Sequence, residues 1–179
     1  MDRAEPASTP DVRIVHLTGP VFRALADGDL DAANAASPVP LPHYFAAPDW
    51  RGVWVMRKWQ VEKDPACAEW VTGVIWDERL GLAVGRAGYH GPPDESGTVE
   101  IGYAVSAAHR RRGYARAALE ALLQRAAREP EVRTVRVAIS PDNTASYGLA
   151  SKYGFTEVGR RWDGGEGVEI VYEMPAGQH

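Results

Sequence analysis

The chain has one cysteine, Cys67, and a lone thiol cannot close an internal disulfide. No close-spaced histidine pair stands in for the missing ligands, so neither a cysteine framework nor a zinc site is expected, and a reducing cytoplasm fits. A basic surplus is also missing. Lys+Arg number 20 against 24 Asp+Glu, a net charge of -4, so the molecule as a whole attracts no nucleic acid and any anion site must be built locally. No stretch approaches the ~18 apolar residues that span a bilayer, and the opening MDRAEPASTPD lacks the apolar core of a signal peptide. A soluble, unprocessed protein with no membrane partner is the expectation. Neither G-x-x-x-x-G-K-[ST] nor a G-x-G-x-x-G after a strand occurs, which disfavours ATP and NAD as ligands. There is no internal repeat and no low-complexity block.

What remains is an ordinary globular composition: 179 residues, 45% hydrophobic and 25% charged, enough for one domain with a sizeable core. Residues 1–11 read as a disordered tail, 12–174 as the domain and 175–179 as a second tail. VRIVHL alternates as a first strand. The stretch after Gly19 begins as a short helix and dissolves into a segment with Pro38, Pro40, Pro42 and Pro48, which reads as a mobile loop over 31–49, with His43 and Tyr44 as candidates for the rim of a binding site. WRGVWVMRKWQVEKD fits a short helix or a strand. EWVTGVIWD, GLAVGRAGYHG and GTVEIGYAV follow as antiparallel strands.

Ala115, Ala118, Leu119, Leu122, Leu123 and Ala126 give the next segment the apolar stripe of a helix packed on a sheet. RTVRVAIS is a strand. Asp142 or Asn143 caps a helix that runs through Lys152 and is closed by Gly154, and FTEVGRRW and GVEIVYEM form a hairpin across DGGEG. The order predicts an α+β (mixed α/β) fold with a central mixed, mostly antiparallel sheet flanked by helices.

One local feature contradicts the acidic balance. SAAHRRRGYARAALEALL places three arginines at the N-terminus of a helix, where positive side chains are disfavoured by roughly 0.3–1 kcal/mol each unless an anion compensates. A strand, a glycine-containing loop and a helix start also aim unpaired backbone N–H groups at one point, a geometry suited to a pyrophosphate. The bland alternative is a solvated arginine run.

The residues here resemble a known family. R-x-x-G-x-A at Arg110, Gly113 and Ala115, with N-x-x-S-x-x-L-x-x-K-x-G-F at Asn143, Ser146, Leu149, Lys152, Gly154 and Phe155, is similar to the GNAT superfamily of N-acetyltransferases. EIGY before the loop resembles the branch of ribosomal-protein N-terminal acetyltransferases. The resemblance is specific from about Gly85 to Met174 and weak before it. It implies acetyl-CoA as cosubstrate, with its pyrophosphate on Arg110, Arg111, Arg112, Gly113, Tyr114 and Ala115. It further implies that the pantetheine arm pairs with main chain at Ala104 and Val105, with Asn143 beside it. The acceptor is a primary amine, either a protein N-terminus or a small molecule, and a homodimer is one arrangement that members adopt. No metal is implied.

Acetyl transfer needs a proton acceptor for the amine, donors for an oxyanion and an acid for the departing thiolate. Glu100 shares its strand face with Gly102 and Ala104, which leave room for a ligand. Spacing alone does not separate a solvated glutamate from a catalytic one, while the resemblance implies the base. A backbone N–H near Val105, freed by a bulge, is the expected oxyanion donor. The tyrosine that many members place after the leucine of the second motif is Ala150 here; Ser146, one turn earlier, is either the substitute acid, as the resemblance to this branch implies, or a simple helix hydroxyl. That departure keeps a non-catalytic acyl-CoA binding module as the rival reading. His90 and His109 read as loop residues. Asp163, Glu166 and Glu169 read as carboxylates of the last hairpin, and the tryptophans between Trp50 and Trp76 as core.

Overall fold

The computed structural model describes residues 8–165 and 167–177. Its sheet is built from β1 (Val12–Val15), β2 (Gly73–Asp77), β3 (Leu82–Tyr89), β4 (Thr98–Val105), β5 (Thr134–Ile139), β6 (Thr156–Trp162) and β7 (Val168–Pro175). Their spatial order is β1-β2-β3-β4-β5-β7-β6, and every pairing is antiparallel except β4 with β5. The helices are α1 (Gly19–Ala26), α2 (Leu30–Ala36), α3 (Pro48–Lys63), α4 (Tyr114–Arg128) and α5 (Thr144–Ala150). This is the α+β architecture expected from the order of elements.

Alternation along the strands sends side chains to two cores. Ile75, Val84 and Val99 meet Ala118, Leu119 and Leu122 of α4 on one face, while Val15, Val74 and Ala83 meet Val21, Phe22 and Trp54 of α1 and α3 on the other. The stripe read in α4 is the buried one, and Leu119, Leu122 and Leu123 are each at most 2% exposed.

The loop expected over 31–49 is largely structured. Asp29 caps α2 by accepting from the Ala32 N–H, and a 3-10 turn covers His43–Ala46. Between them Asn34 pins the chain by donating to the Leu41 carbonyl at 3.0 Å and accepting from the Leu41 N–H at 2.8 Å. The prolines punctuate this segment rather than loosen it: Pro48 opens α3 at a first-turn position, where no N–H is needed. WRGVWVMRKWQVEKD is the body of that 16-residue helix. The expected N-terminal tail falls mostly on residues 1–7, outside the described residues; the Asp11 carbonyl already holds the Glu78 N–H. In the second tail β7 runs to Pro175, and residues 178–179 lie outside the described residues, as does Glu166 of the hairpin.

β4 and β5 pair over three residues only, Thr98–Glu100 against Thr134–Arg136. Beyond that point β4 follows β3 as far as Val105 while β5 follows β7 as far as Ile139, and the sheet opens between them.

Candidate active site

The opening is a cleft of about 270 Å³ lined from both strands and closed by α5, with Tyr103, Val137, Asn143, Ser146 and Ala150 among its walls. The β3–β4 register is regular, with the His90 N–H donating to the Glu100 carbonyl and the Ser106 N–H to the Val84 carbonyl. Antiparallel alternation then turns the main-chain groups of Gly102 and Ala104 toward β3, and those of Tyr103 and Val105 toward the cleft. Two expectations change. Ala104 presents its backbone to Arg86 rather than to a ligand, so Tyr103 joins Val105 as the free edge. No bulge interrupts β4 against β3, and Val105 is freed by the divergence of β5 instead.

The arginine loop follows directly. Arg110 Nε donates to the Val105 carbonyl at 3.2 Å, Arg111 has φ 61° and Gly113 φ 84°. Left-handed residues of this kind fold successive N–H groups toward one concavity. Helix α4 has no side-chain cap and no acidic residue in its first turn, and its first main-chain bond runs from the Ala117 N–H to the Gly113 carbonyl. The N–H groups of Tyr114, Ala115 and Arg116 therefore have no partner within the helix. The Tyr114 side chain faces inward, where its hydroxyl donates to Asp77 Oδ2 at 2.6 Å. Burial first, and the Asp77 carboxylate second, push that phenol up to about 12. This hydrogen bond fastens the first turn of α4 to β2, so Tyr114 can serve an anion only through its backbone. Arg112 is exposed in the arginine loop.

Glu100 sits at the other end of the cleft with its side chain 12% exposed. Arg161 grips it in a fork, Nη1 to Oε2 at 2.9 Å and Nη2 to Oε1 at 2.5 Å, and His90 Nδ1 lies 3.3 Å from Oε1. Burial alone would raise this carboxyl, but the hydrogen bonds from His90 and Arg161, with their charge, hold it at about 2. Such a carboxylate is a firm anchor and a weak proton acceptor. His90 was read from sequence as a loop residue, yet its ring stands over Gly102, where an added Cβ would lie 2.7 Å from Nε2. The signal was present in the small residue on β4, but only the β3–β4 register shows whose ring uses the space.

His109, by contrast, hydrogen bonds Ser106 at 2.7 Å beside Tyr114, as a structural loop residue does. Asn143, in the wall of the cleft, caps α5 through Oδ1, accepting from the Ser146 N–H at 3.1 Å. Burial raises the Tyr103 phenol, with the Ser146 hydroxyl beside it pulling the other way. Tyr103 lies on the strand face opposite Glu100, and the opening of the sheet gives its hydroxyl a place in the cleft next to Ser146.

A second cavity, about 460 Å³, opens on the α3 side of the sheet and meets the first at His90, Gly102 and Glu169. Arg57, Thr72, Arg86, Arg161 and Trp162 line it. Among the described residues no group of His, Cys, Asp and Glu is arranged to hold a metal, and no helix is long and apolar enough to cross a membrane.

The acetyltransferase (GNAT) domain family matches residues 21–156. YjdG, an uncharacterized N-acetyltransferase of Bacillus subtilis, is 38% identical over 72 residues, a stretch that covers 40% of this chain and 43% of that protein's length. Among solved structures, the ribosomal L7/L12 α-N-protein acetyltransferase RimL in complex with coenzyme A aligns with TM-score 0.63 at 18% identity, over 97% of this chain and 98% of that one. A spermidine N-acetyltransferase SpeG chimera from Vibrio cholerae and hSSAT gives 0.64 at 12% identity, covering 92% and 95%. The microcin C7 self-immunity acetyltransferase MccE, in complex with acetyl-CoA and AMP, gives 0.61 at 14% identity, covering 92% of each chain. At such identities the likeness speaks for the fold. With that domain matched over most of this chain, the chain belongs to the GNAT family of acetyltransferases.

Proposed function

We propose that the protein transfers the acetyl group of acetyl-CoA to a primary amine by direct attack within a ternary complex. The observation that carries this reading is the free edge of β4 at Tyr103 and Val105, running straight into the uncapped N-terminus of α4. An extended amide-bearing arm pairs with the first as an added strand would, and a pyrophosphate suits the second. Acetyl-CoA supplies the activated acyl carbon and a thiolate leaving group. The α4 N–H groups and Arg110 hold the anion, with Arg111 and Arg112 at the rim. Asn143 offers its amide to the arm.

Amine attack forms the N–C bond and breaks the C–S bond; one proton leaves nitrogen and one reaches sulfur. Glu100, expected as the base, is gripped by the Arg161 fork and is better suited to orient His90 than to take a proton itself. We assign the amine's proton to His90 or a water it orients, with Glu100 stabilising the imidazolium. Backbone N–H groups on the β4 edge face the developing oxyanion. Ser146, with Tyr103 beside it, supplies the sulfur's proton in place of the tyrosine absent at Ala150. Coenzyme A release, followed with a panel of amines, tests the reading. Binding of acetyl-CoA without turnover of any amine favours the rival, a binding module, for which the ion-paired Glu100 and Ala150 speak.

A further inference from the structure

The second cavity carries two arginines that no ion pair among the described residues engages. Arg57 is 5% exposed, and its donors go to neutral groups: Nε to Thr72 Oγ1 at 2.9 Å, Nη1 to Gln60 Oε1 at 2.7 Å and to the His90 carbonyl at 3.5 Å. Arg86 lies over the Trp50 ring at 5.0 Å, and its Nε is enclosed without a hydrogen-bond partner. Among the described residues neither arginine belongs to an ion pair; Arg57 adds its charge to the surroundings of Arg86, and Glu100 answers part of that of Arg57 from a distance. The carboxylates nearby are engaged: Glu100 and Glu169 hold Arg161, and Asp163 Oδ1 accepts from the Gly165 and Gly167 amides of the hairpin turn. Two like charges in one cavity, Arg57 buried and Arg86 half-buried, are costly unless an anion joins them. A planar guanidinium fork is also the group that matches carboxylate or phosphate.

Resting on the acetyl-transfer reading, we propose that the acceptor is a small amine that also carries an oxyanion, a carboxylate or a phosphate, which Arg57 and Arg86 bind while its amine reaches His90. A cavity of about 460 Å³ suits a small molecule. A polycationic amine meets two arginines there and is disfavoured.

Matched pairs test this: 4-aminobutyrate against butylamine, O-phosphoethanolamine against ethanolamine, with spermidine and an acidic N-terminal peptide as further arms. The anionic member of at least one pair is expected to have a kcat/KM at least tenfold above its partner, and which pair shows it separates carboxylate from phosphate. Arg86→Met removes the preference by raising the acceptor KM while leaving the KM for acetyl-CoA unchanged, and Arg86→Lys restores part of it. Equal use of both members, preference for spermidine or the peptide, or a preference unchanged in a folded Arg86→Met overturns the proposal. If no amine supports coenzyme A release, the transfer reading falls, and the same pairs are titrated calorimetrically on the wild type with coenzyme A present. Selective binding of an anionic member then upholds the arginine pair, and its absence overturns it. Should Arg86→Met not fold, competition by inorganic phosphate or acetate against the acceptor, with chloride as control, decides in its place: competition supports the site and its absence overturns it.

Discussion

Replacing Glu100 by Gln removes the charge that joins Arg161 and His90 while keeping the side chain's shape. A tenfold change in proton affinity is worth about 1.4 kcal/mol, so the drop from 4.5 to about 2 caps the carboxylate's contribution to stability at about 3 kcal/mol. Its partners are more open, Arg161 at 40% and His90 at 46% exposed, and solvent screening reduces the expected loss to about 1–2 kcal/mol. In a domain of this size that lowers Tm by roughly 2–8 °C. Because the folded-state value is depressed, the stabilisation is complete above 4.5 and fades as pH falls toward about 2. Urea unfolding of wild type and variant from pH 7 down to 3 reads the difference directly, and the two curves are expected to converge only at the acid end. In kinetics the variant keeps its affinity for acetyl-CoA and loses kcat. Part of that kcat returns as pH rises, since a lysine-like amine near 10.4 then deprotonates without help. Equal stability at pH 7 would refute the ion-pair reasoning, and a wild-type kcat from pH 6 to 9 would remove Glu100 from the chemistry.

Acetyl-CoA is expected to raise Tm in the wild type and not in Gly113→Asp, where a side chain is forced to φ 84° and its charge meets the phosphates; equal stabilisation in a calorimetric melt would disprove the loop assignment. Ser146→Ala and Tyr103→Phe should each lower kcat without recovery at high pH, because the lost step is thiolate departure, and a pH–rate series against Glu100→Gln distinguishes the two kinds of defect. Asn34→Ala, which removes both hydrogen bonds to Leu41, should cost about 1–3 kcal/mol in chemical denaturation, and no change would mean that the segment between α2 and the His43–Ala46 turn is not held by that side chain.

Helix α4 and the hairpin of β6 and β7 were legible because their patterns answer to a single neighbour: one stripe against the sheet, one pairing across a turn. Helix α3 was ambiguous for the opposite reason. Trp54 is buried and Arg57 nearly so, whereas Val55, Met56 and Trp59 are half exposed or more, so apolar residues surround the helix and blur its period. In the 31–49 segment prolines outweighed local hydrogen bonds such as Asp29 to Ala32, which composition does not reveal. The motif residues of the cofactor side lie close together in sequence and could be read as a group. Arg86 comes from the body of β3 and His90 from just past its end, Arg57 from α3 and Arg161 from the last hairpin. Their meeting depends on register, and nothing in any one segment announces it.

The two cavities open on opposite faces of β4 and touch only over Gly102, with His90 and Glu169 at the seam. The cleft proposed for the cofactor is walled mostly by residues after Glu100, and the cavity proposed for the acceptor largely by α3, β3 and the β6–β7 hairpin. Selection can therefore rewrite the acceptor wall without disturbing the cofactor wall, so long as the glycine and the histidine above it stay in register. Divergence among relatives should be uneven along the chain for this reason, slow around one slot and fast around the other, with the narrow seam over Gly102 as the point where both histories must agree.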